Sequence, residues 1–182
     1  MAAAFDRETD SGRLDYQLMI QSPVRLVHSR ALLSDIVAWL RRQRYHVVSV
    51  DASWLITSHM FRDLGSVLGY TCHDQWHCLS EGLAETIWET LDRSAGFTLV
   101  LTGFDVFATR RSDDAQNLLE VVGERAWPAA LQGKRVMCLV QSDDPGLELR
   151  RLGLWLVPWV DTQRLAGLVR QPPFGIMAEV RR

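Results

Sequence analysis

The chain has 182 residues, of which 47% are hydrophobic and 23% charged, with a formal net charge of -2. This composition is typical of one globular domain with its own core and excludes a long disordered chain. The near-neutral charge argues against a nucleic-acid binder, and no apolar run approaches the roughly 18–20 residues that span a bilayer. We therefore expect neither nucleic acid nor membrane as a partner.

The chain contains three cysteines, Cys72, Cys78 and Cys138, which is an odd number for a disulfide framework. We expect reduced thiols, a cytoplasmic location and no signal peptide at the N-terminus. His73 and His77 border the first two cysteines, but adjacent Cys-His pairs rarely both reach one tetrahedral zinc centre. We therefore expect no structural metal and no cofactor.

The N-terminal part of the chain begins with a charged, aperiodic stretch, residues 1–15, which predicts a flexible tail. The apolar run Val24–His28 predicts a short strand. A helix follows, with either Ser29 or Ser34 as its N-cap and an end near Arg44.

The central part alternates between apolar runs and amphipathic segments. His46–Asp51 predicts a buried, β-branched strand, and Phe97–Thr102 predicts a second one. Between them, a helix is predicted to begin at Thr57 or Ser58 and to end at Gly69.

A second helix, about Cys78 to Leu91, has the most unusual charge pattern in the chain. The window from Asp63 to Asp92 holds six carboxylates and no Lys or Arg. Glutamates recur every fourth residue along this helix, about 200° from a row of apolar side chains with the same period. Such a row of like charges destabilises a helix unless a basic partner covers it. The glutamates are Glu81, Glu85 and Glu89, and the apolar residues are Leu79, Leu83, Ile87 and Leu91.

The C-terminal part contains a helix capped near Ser112, a third clear strand at Arg135–Gln141 and a possible strand at Leu154–Val157. Residues 171–182 are expected to form a loosely packed tail. Strands separated by helices predict an α/β fold with a small parallel sheet of three to four strands, and we place residues 16–170 in one domain with a core at 46–141.

The seven tryptophans include three in apolar surroundings, Trp39, Trp127 and Trp155, which we assign to the core. Trp76 differs because it is flanked by polar residues just ahead of the acidic helix. The ring is either exposed in a loop, where an aromatic beside carboxylates is typical of a binding hot spot, or folded over the start of the helix.

Asp143–Asp144 follows the third strand, where an α/β enzyme often places its polar groups. The pair could serve acid-base or Mg²⁺ chemistry, but Asp before Pro145 is common in helix caps and turns, which is the interpretation that we favour. We therefore rank a small α/β hydrolase below the two non-catalytic hypotheses that are given at the end of this subsection.

Several segments together resemble the barstar family. Phe61–Tyr70 is similar to the first helix of that family, and Glu81–Ile87 fits its Asp-Ala-Leu-x-Asp-x-Leu helix, with Trp76 at the second tyrosine of the preceding Tyr-Tyr-Gly-x-Asn loop. Ala115–Glu124 resembles the last helix of the family. The stretches LVLTGFDVFA and KRVMCLVQSDDP further resemble long barstar-like proteins of actinobacteria, which carry N- and C-terminal extensions.

The resemblance implies an intracellular inhibitor that plugs the active site of the ribonuclease barnase or a similar enzyme. The contact residues would be Trp76, Glu81, Glu85 and Glu124, with carboxylates standing in for the phosphates of RNA. Two departures stand out: both helix aspartates are glutamates here, and His77 replaces the loop glycine.

We therefore expect a non-catalytic, cytoplasmic inhibitor that is monomeric when free and has a basic secreted or toxin ribonuclease as its partner. The alternative is an adaptor of the same fold that binds another basic protein surface.

Overall fold

The computed structural model describes residues 4–72 and 75–170. Four strands form one sheet, β1 (Val24–Val27), β2 (Tyr45–Asp51), β3 (Gly96–Thr102) and β4 (Val136–Gln141). The helices within the described residues are α1 (Arg7–Asp10), α2 (Leu14–Met19), α3 (Arg30–Arg42), α4 (Met60–Leu68), α5 (Trp76–Leu91), α6 (Phe104–Arg110), α7 (Ser112–Leu131) and α8 (Thr162–Val169). The predicted α/β class is confirmed.

The sheet is parallel throughout and has the strand order β1-β4-β3-β2. The predicted parallel sheet is confirmed, and the three clear apolar runs are neighbours in it, with Val48 opposite Leu99 and Leu99 opposite Cys138. The strand β1 pairs with β4 and so extends the sheet with the N-terminal segment.

Helices cover both faces of the sheet. One apolar cluster joins residues of α4–α7 to one face, and a second joins α2, α3 and α8 to the other. The central strands β3 and β4 are buried nearly throughout. The edge strand β2 is not: His46, Ser49 and Asp51 are exposed, so the prediction of a buried strand was wrong for half of its side chains.

The helix α3 begins with a side-chain cap, because the Ser29 hydroxyl accepts a hydrogen bond of 3.2 Å from the N–H of Leu32. Ser34, the other serine considered for this role, is exposed inside the helix.

We expect Ser29→Ala to lower the free energy of unfolding by about 1 kcal/mol, because the first turn loses its cap. Ser34→Ala is the matched control and should leave stability unchanged or slightly higher, because alanine is the better helix former. Urea unfolding of both variants measures the difference. Equal losses for the two variants would contradict the assigned cap.

The N-terminal segment differs from the expected flexible tail. Residues 7–10 and 14–19 are helical, and the side chains of Leu14 and Asp15 are fully buried. The Asp15 carboxylate accepts hydrogen bonds from Arg13, Arg135 and the Tyr45 hydroxyl, which explains how a charged residue is buried here. The charged composition of the segment gave no indication that it packs against the rest of the domain.

Residues 154–157 do not form the strand that their apolar run suggested. Leu152 and Trp155 instead close a tight turn with backbone hydrogen bonds of 2.9 and 3.0 Å. Gly153 lies in this turn with φ +59°, a conformation that favours glycine. The chain then passes β1, where Trp159 bridges Leu26, before α8 begins. Residues 171–182, predicted as a loose tail, lie outside the described residues.

Two helix boundaries also differ from the sequence analysis. The helix α4 begins at Met60 rather than at Thr57 or Ser58, although it ends as predicted at Gly69, where φ is +85°. The short helix α6 was missed. It begins after Gly103, whose N–H donates a 2.9 Å hydrogen bond to the Gln141 side chain of the neighbouring strand.

Candidate functional site

The acidic helix α5 has the two-sided character that its sequence predicts. Glu81, Glu85 and Glu89 are all exposed along its outer side. The opposite side packs into the core through the predicted apolar row, Leu79, Leu83, Ile87 and Leu91, none of which is more than 2% exposed. The helix therefore presents a line of carboxylates on a firmly packed support.

Contacts with α4 and with the residues just after it fix the position of α5. The Thr86 hydroxyl donates a 2.9 Å hydrogen bond to the Leu68 carbonyl, and the Tyr70 hydroxyl donates one of 3.2 Å to the Leu79 carbonyl. Gly82 lies against the Tyr70 ring so closely that a Cβ at this position would come within 2.3 Å of it. Burial raises the pKa of Tyr70, which keeps its hydroxyl protonated as a donor.

The charges on the outer side of α5 are largely unneutralised. His77 Nε2 lies 3.1 Å from Glu81 Oε1, and both side chains are mostly exposed. No ion pair to Glu85 or Glu89 is formed by the residues that the structure describes. Arg125 of the neighbouring helix α7 instead donates to the Ser80 hydroxyl at the seam between α5 and α7. Glu85 is therefore the central carboxylate of the row and forms no ion pair with a residue of the described ranges.

Trp76 occupies the first turn of α5 rather than a loop. Its half-buried ring packs edge-to-face on Phe61 of α4, with 5.0 Å between the ring centroids. The interpretation of this residue as a ring exposed in a loop was wrong, because the residue is helical and its ring packs on α4. His77, aligned with a loop glycine in the resemblance, is helical as well.

Glu124 is exposed on α7, on the side that faces away from the core. It lines a groove of about 490 Å³ together with Trp127, Leu152 and Trp155. Trp127 is 53% exposed, so its assignment to the core was wrong. Because α5 and α7 touch at Ser80 and Arg125, Glu124 belongs to the helix beside the acidic row.

The carboxylates considered for catalysis are held by structural contacts. The Asp143 carboxylate pairs with the Arg30 guanidinium, at 2.6 and 3.2 Å, and accepts a 2.7 Å hydrogen bond from Gln141. These hydrogen bonds from Arg30 and Gln141 hold the pKa of Asp143 below its usual range. Asp144 accepts from the N–H of Gly146 at 2.8 Å, which is the turn geometry that an Asp-Pro sequence favours.

The cysteines near the start of α5 make local contacts. Cys72 Sγ lies 3.7 Å from the Gln75 carbonyl oxygen, and Cys78 Sγ lies 3.6 Å from that of Thr71. No cluster of three or more metal-ligating side chains occurs among residues 4–72 and 75–170, which do not include His73. The absence of a structural metal stays a prediction.

Comparison with models of known protein families and with curated proteins finds no significant match to the chain. In the part of the chain that the structure describes, no helix is both long and apolar enough to cross a membrane.

Proposed function

We propose that the protein is a barstar-like ribonuclease inhibitor whose helix α5 enters the basic active site of its target. The observation that carries this proposal is the exposed row of Glu81, Glu85 and Glu89 opposite a buried apolar stripe. A repulsive row of this kind gains its stabilisation when a cationic surface covers it.

The order of elements supports the proposal. Two helices, α4 and the acidic α5, connect β2 to β3, and two further helices connect β3 to β4. This order agrees with the resemblance to the barstar family drawn from the sequence. The Trp76 ring packs α5 on α4, so only its exposed part would be open to contact the partner, unlike an aromatic residue in a loop.

The chemistry of a ribonuclease cleft fits the surface. Such a cleft holds RNA phosphates with Arg, Lys and His side chains, and guanidinium groups form strong paired hydrogen bonds with carboxylates. Glu81 and Glu85 on α5, with Glu124 on α7, would supply these carboxylates from two adjacent helices.

Affinity capture from a lysate of the native cells, followed by an inhibition assay on any captured ribonuclease, tests the proposal. A triple variant with Glu81, Glu85 and Glu89 changed to Gln should lose capture and inhibition. The matched control removes three exposed carboxylates elsewhere, with Glu8→Gln, Asp35→Asn and Glu148→Gln, and should retain both. Capture of a basic protein without ribonuclease activity would favour the adaptor. Catalytic turnover of a substrate by the purified protein alone would refute both the inhibitor and the adaptor.

A further inference from the structure

The groove beside Glu124 is formed by α7 and by the turn at residues 152–155, not by the acidic helix α5. Trp127 and Trp155 both line it and contact each other, with ring centroids 5.9 Å apart and ring planes 47° apart. Trp155 is held by the tight turn at residues 152–155, which exposes 91% of Leu154 at the rim. The floor is formed by Gly123 and the buried Leu152. Two tryptophans therefore stand partly exposed around a preformed cavity.

Acceptor groups lie on one side of the same groove. Glu120 and Glu124 both line it, and neither forms an ion pair with a described residue. Arg125, the cation next to them in sequence, is turned towards Ser80 of α5. Negative charge at the groove is therefore available to a cation from outside.

We infer that this groove binds an arginine side chain of a protein partner, stacked on the exposed surface of the Trp127–Trp155 pair and against Glu120 and Glu124. A guanidinium group stacks on indole faces and has five N–H donors for acceptors of this kind. Lysine carries the same charge but lacks the planar stacking surface. The apolar rim at Leu154 favours an arginine flanked by apolar residues.

The inference extends the proposed partner surface and rests on that proposal for the kind of partner. The groove would give the partner a second point of attachment beside α5, supplied by the segment that follows β4.

Titration of the ¹⁵N-labelled protein with acetyl-Leu-Arg-Leu-amide, followed through the indole N–H signals, tests the inference. The Trp127 and Trp155 signals should shift and saturate. Replacement of arginine by citrulline, which keeps the shape and removes the charge, should weaken binding at least about fivefold, and lysine should bind less tightly than arginine. Equal binding of the citrulline peptide, or shifts confined to tryptophans outside the groove, would overturn the inference.

A pair of variants locates the site. Glu124→Gln, at an exposed position, should weaken peptide binding about threefold or more, whereas Glu148→Gln, which lines a different depression, should not change it. Equal effects of the two variants would also overturn the assignment. Because the titration uses no ribonuclease, the two proposals can fail separately. Peptide binding without ribonuclease capture removes only the proposed function, and capture without peptide binding removes only the arginine groove.

Discussion

Replacement of Asp15 by alanine is expected to lower the free energy of unfolding by about 3–5 kcal/mol, because it leaves buried donors without their charged acceptor. The Asp15 carboxylate is fully buried and accepts bonds of 2.8 and 3.0 Å from Arg13, 2.6 Å from the Tyr45 hydroxyl and 3.3 Å from Arg135. The group joins α2 to the start of β2 and to the residue before β4.

Two further variants separate charge from packing. Asp15→Asn keeps the volume but turns amide N–H groups towards the arginines, so it should be nearly as destabilising as Asp15→Ala. Asp92→Ala removes an exposed partner of Lys134, 3.5 Å away, and should cost about 0–1 kcal/mol. Urea unfolding at neutral pH measures all three. A loss below about 1 kcal/mol for Asp15→Ala would show that the buried group contributes little.

The effect of Asp15 should depend on pH on the acid side. Burial raises the pKa of this carboxyl, but hydrogen bonds from Arg13 and Tyr45 and the charges of Arg13 and Arg135 outweigh burial, so the pKa lies below its ordinary 3.8. A lowered pKa in the folded state gives stabilisation that is present above the unfolded-state value and lost as the pH falls through the folded-state value. The stability gap between wild type and Asp15→Asn should therefore stay constant down to about pH 5 and narrow below about pH 4.

Replacement of Glu85 by alanine is expected to have the largest effect on partner binding. The residue lies in the middle of α5, exposed and without an ion pair among the described residues, where a covering partner would exclude water most completely. Removal of one member of a desolvated charge pair leaves the other buried alone and costs roughly 2–5 kcal/mol. Affinity should therefore fall by about 30-fold to several thousand-fold, mainly through faster dissociation.

Neighbouring glutamates provide graded comparisons. Glu89→Ala should act weakly and mainly on the association rate, because Glu89 lies near the helix end in a depression shared with Arg44 and Arg93. Glu124→Ala should weaken partner binding more than Glu89→Ala and less than Glu85→Ala. The stability of Glu85→Ala itself should be unchanged or slightly higher, since repulsion between glutamates four residues apart is relieved. Inhibition of the captured ribonuclease at two salt concentrations measures the series, and equal potency for wild type and Glu85→Ala would remove α5 from the mechanism.

Much of the fold could be predicted from sequence because the signals are local. The strands β3 and β4 are continuous apolar runs, and the fourfold period of α5 places its carboxylates and its core side chains on opposite sides. These patterns depend only on residues that are close in sequence, so they can be recognised without knowledge of the tertiary contacts.

The features that could not be predicted depend on distant contacts. Asp15 is buried only because Tyr45 and Arg135 come from far along the chain to meet it. Trp76 is helical although its neighbours are polar, and its ring packs on Phe61 of another helix. The apolar run at residues 154–157 follows a tight turn at Gly153 and does not join the sheet.

The position of β1 has a consequence for how the protein is made. The strands β2, β3 and β4 can pair one after another as they leave the ribosome, because neighbours in sequence are neighbours in the sheet. The strand β1 is synthesised first, yet its place is beside β4, the last strand of the sheet. The apolar residues of β1 therefore stay unpaired until β4 has been synthesised, and during that time chaperones and proteases can bind them. A chain whose synthesis stops before β4 would leave β1 without its partner strand.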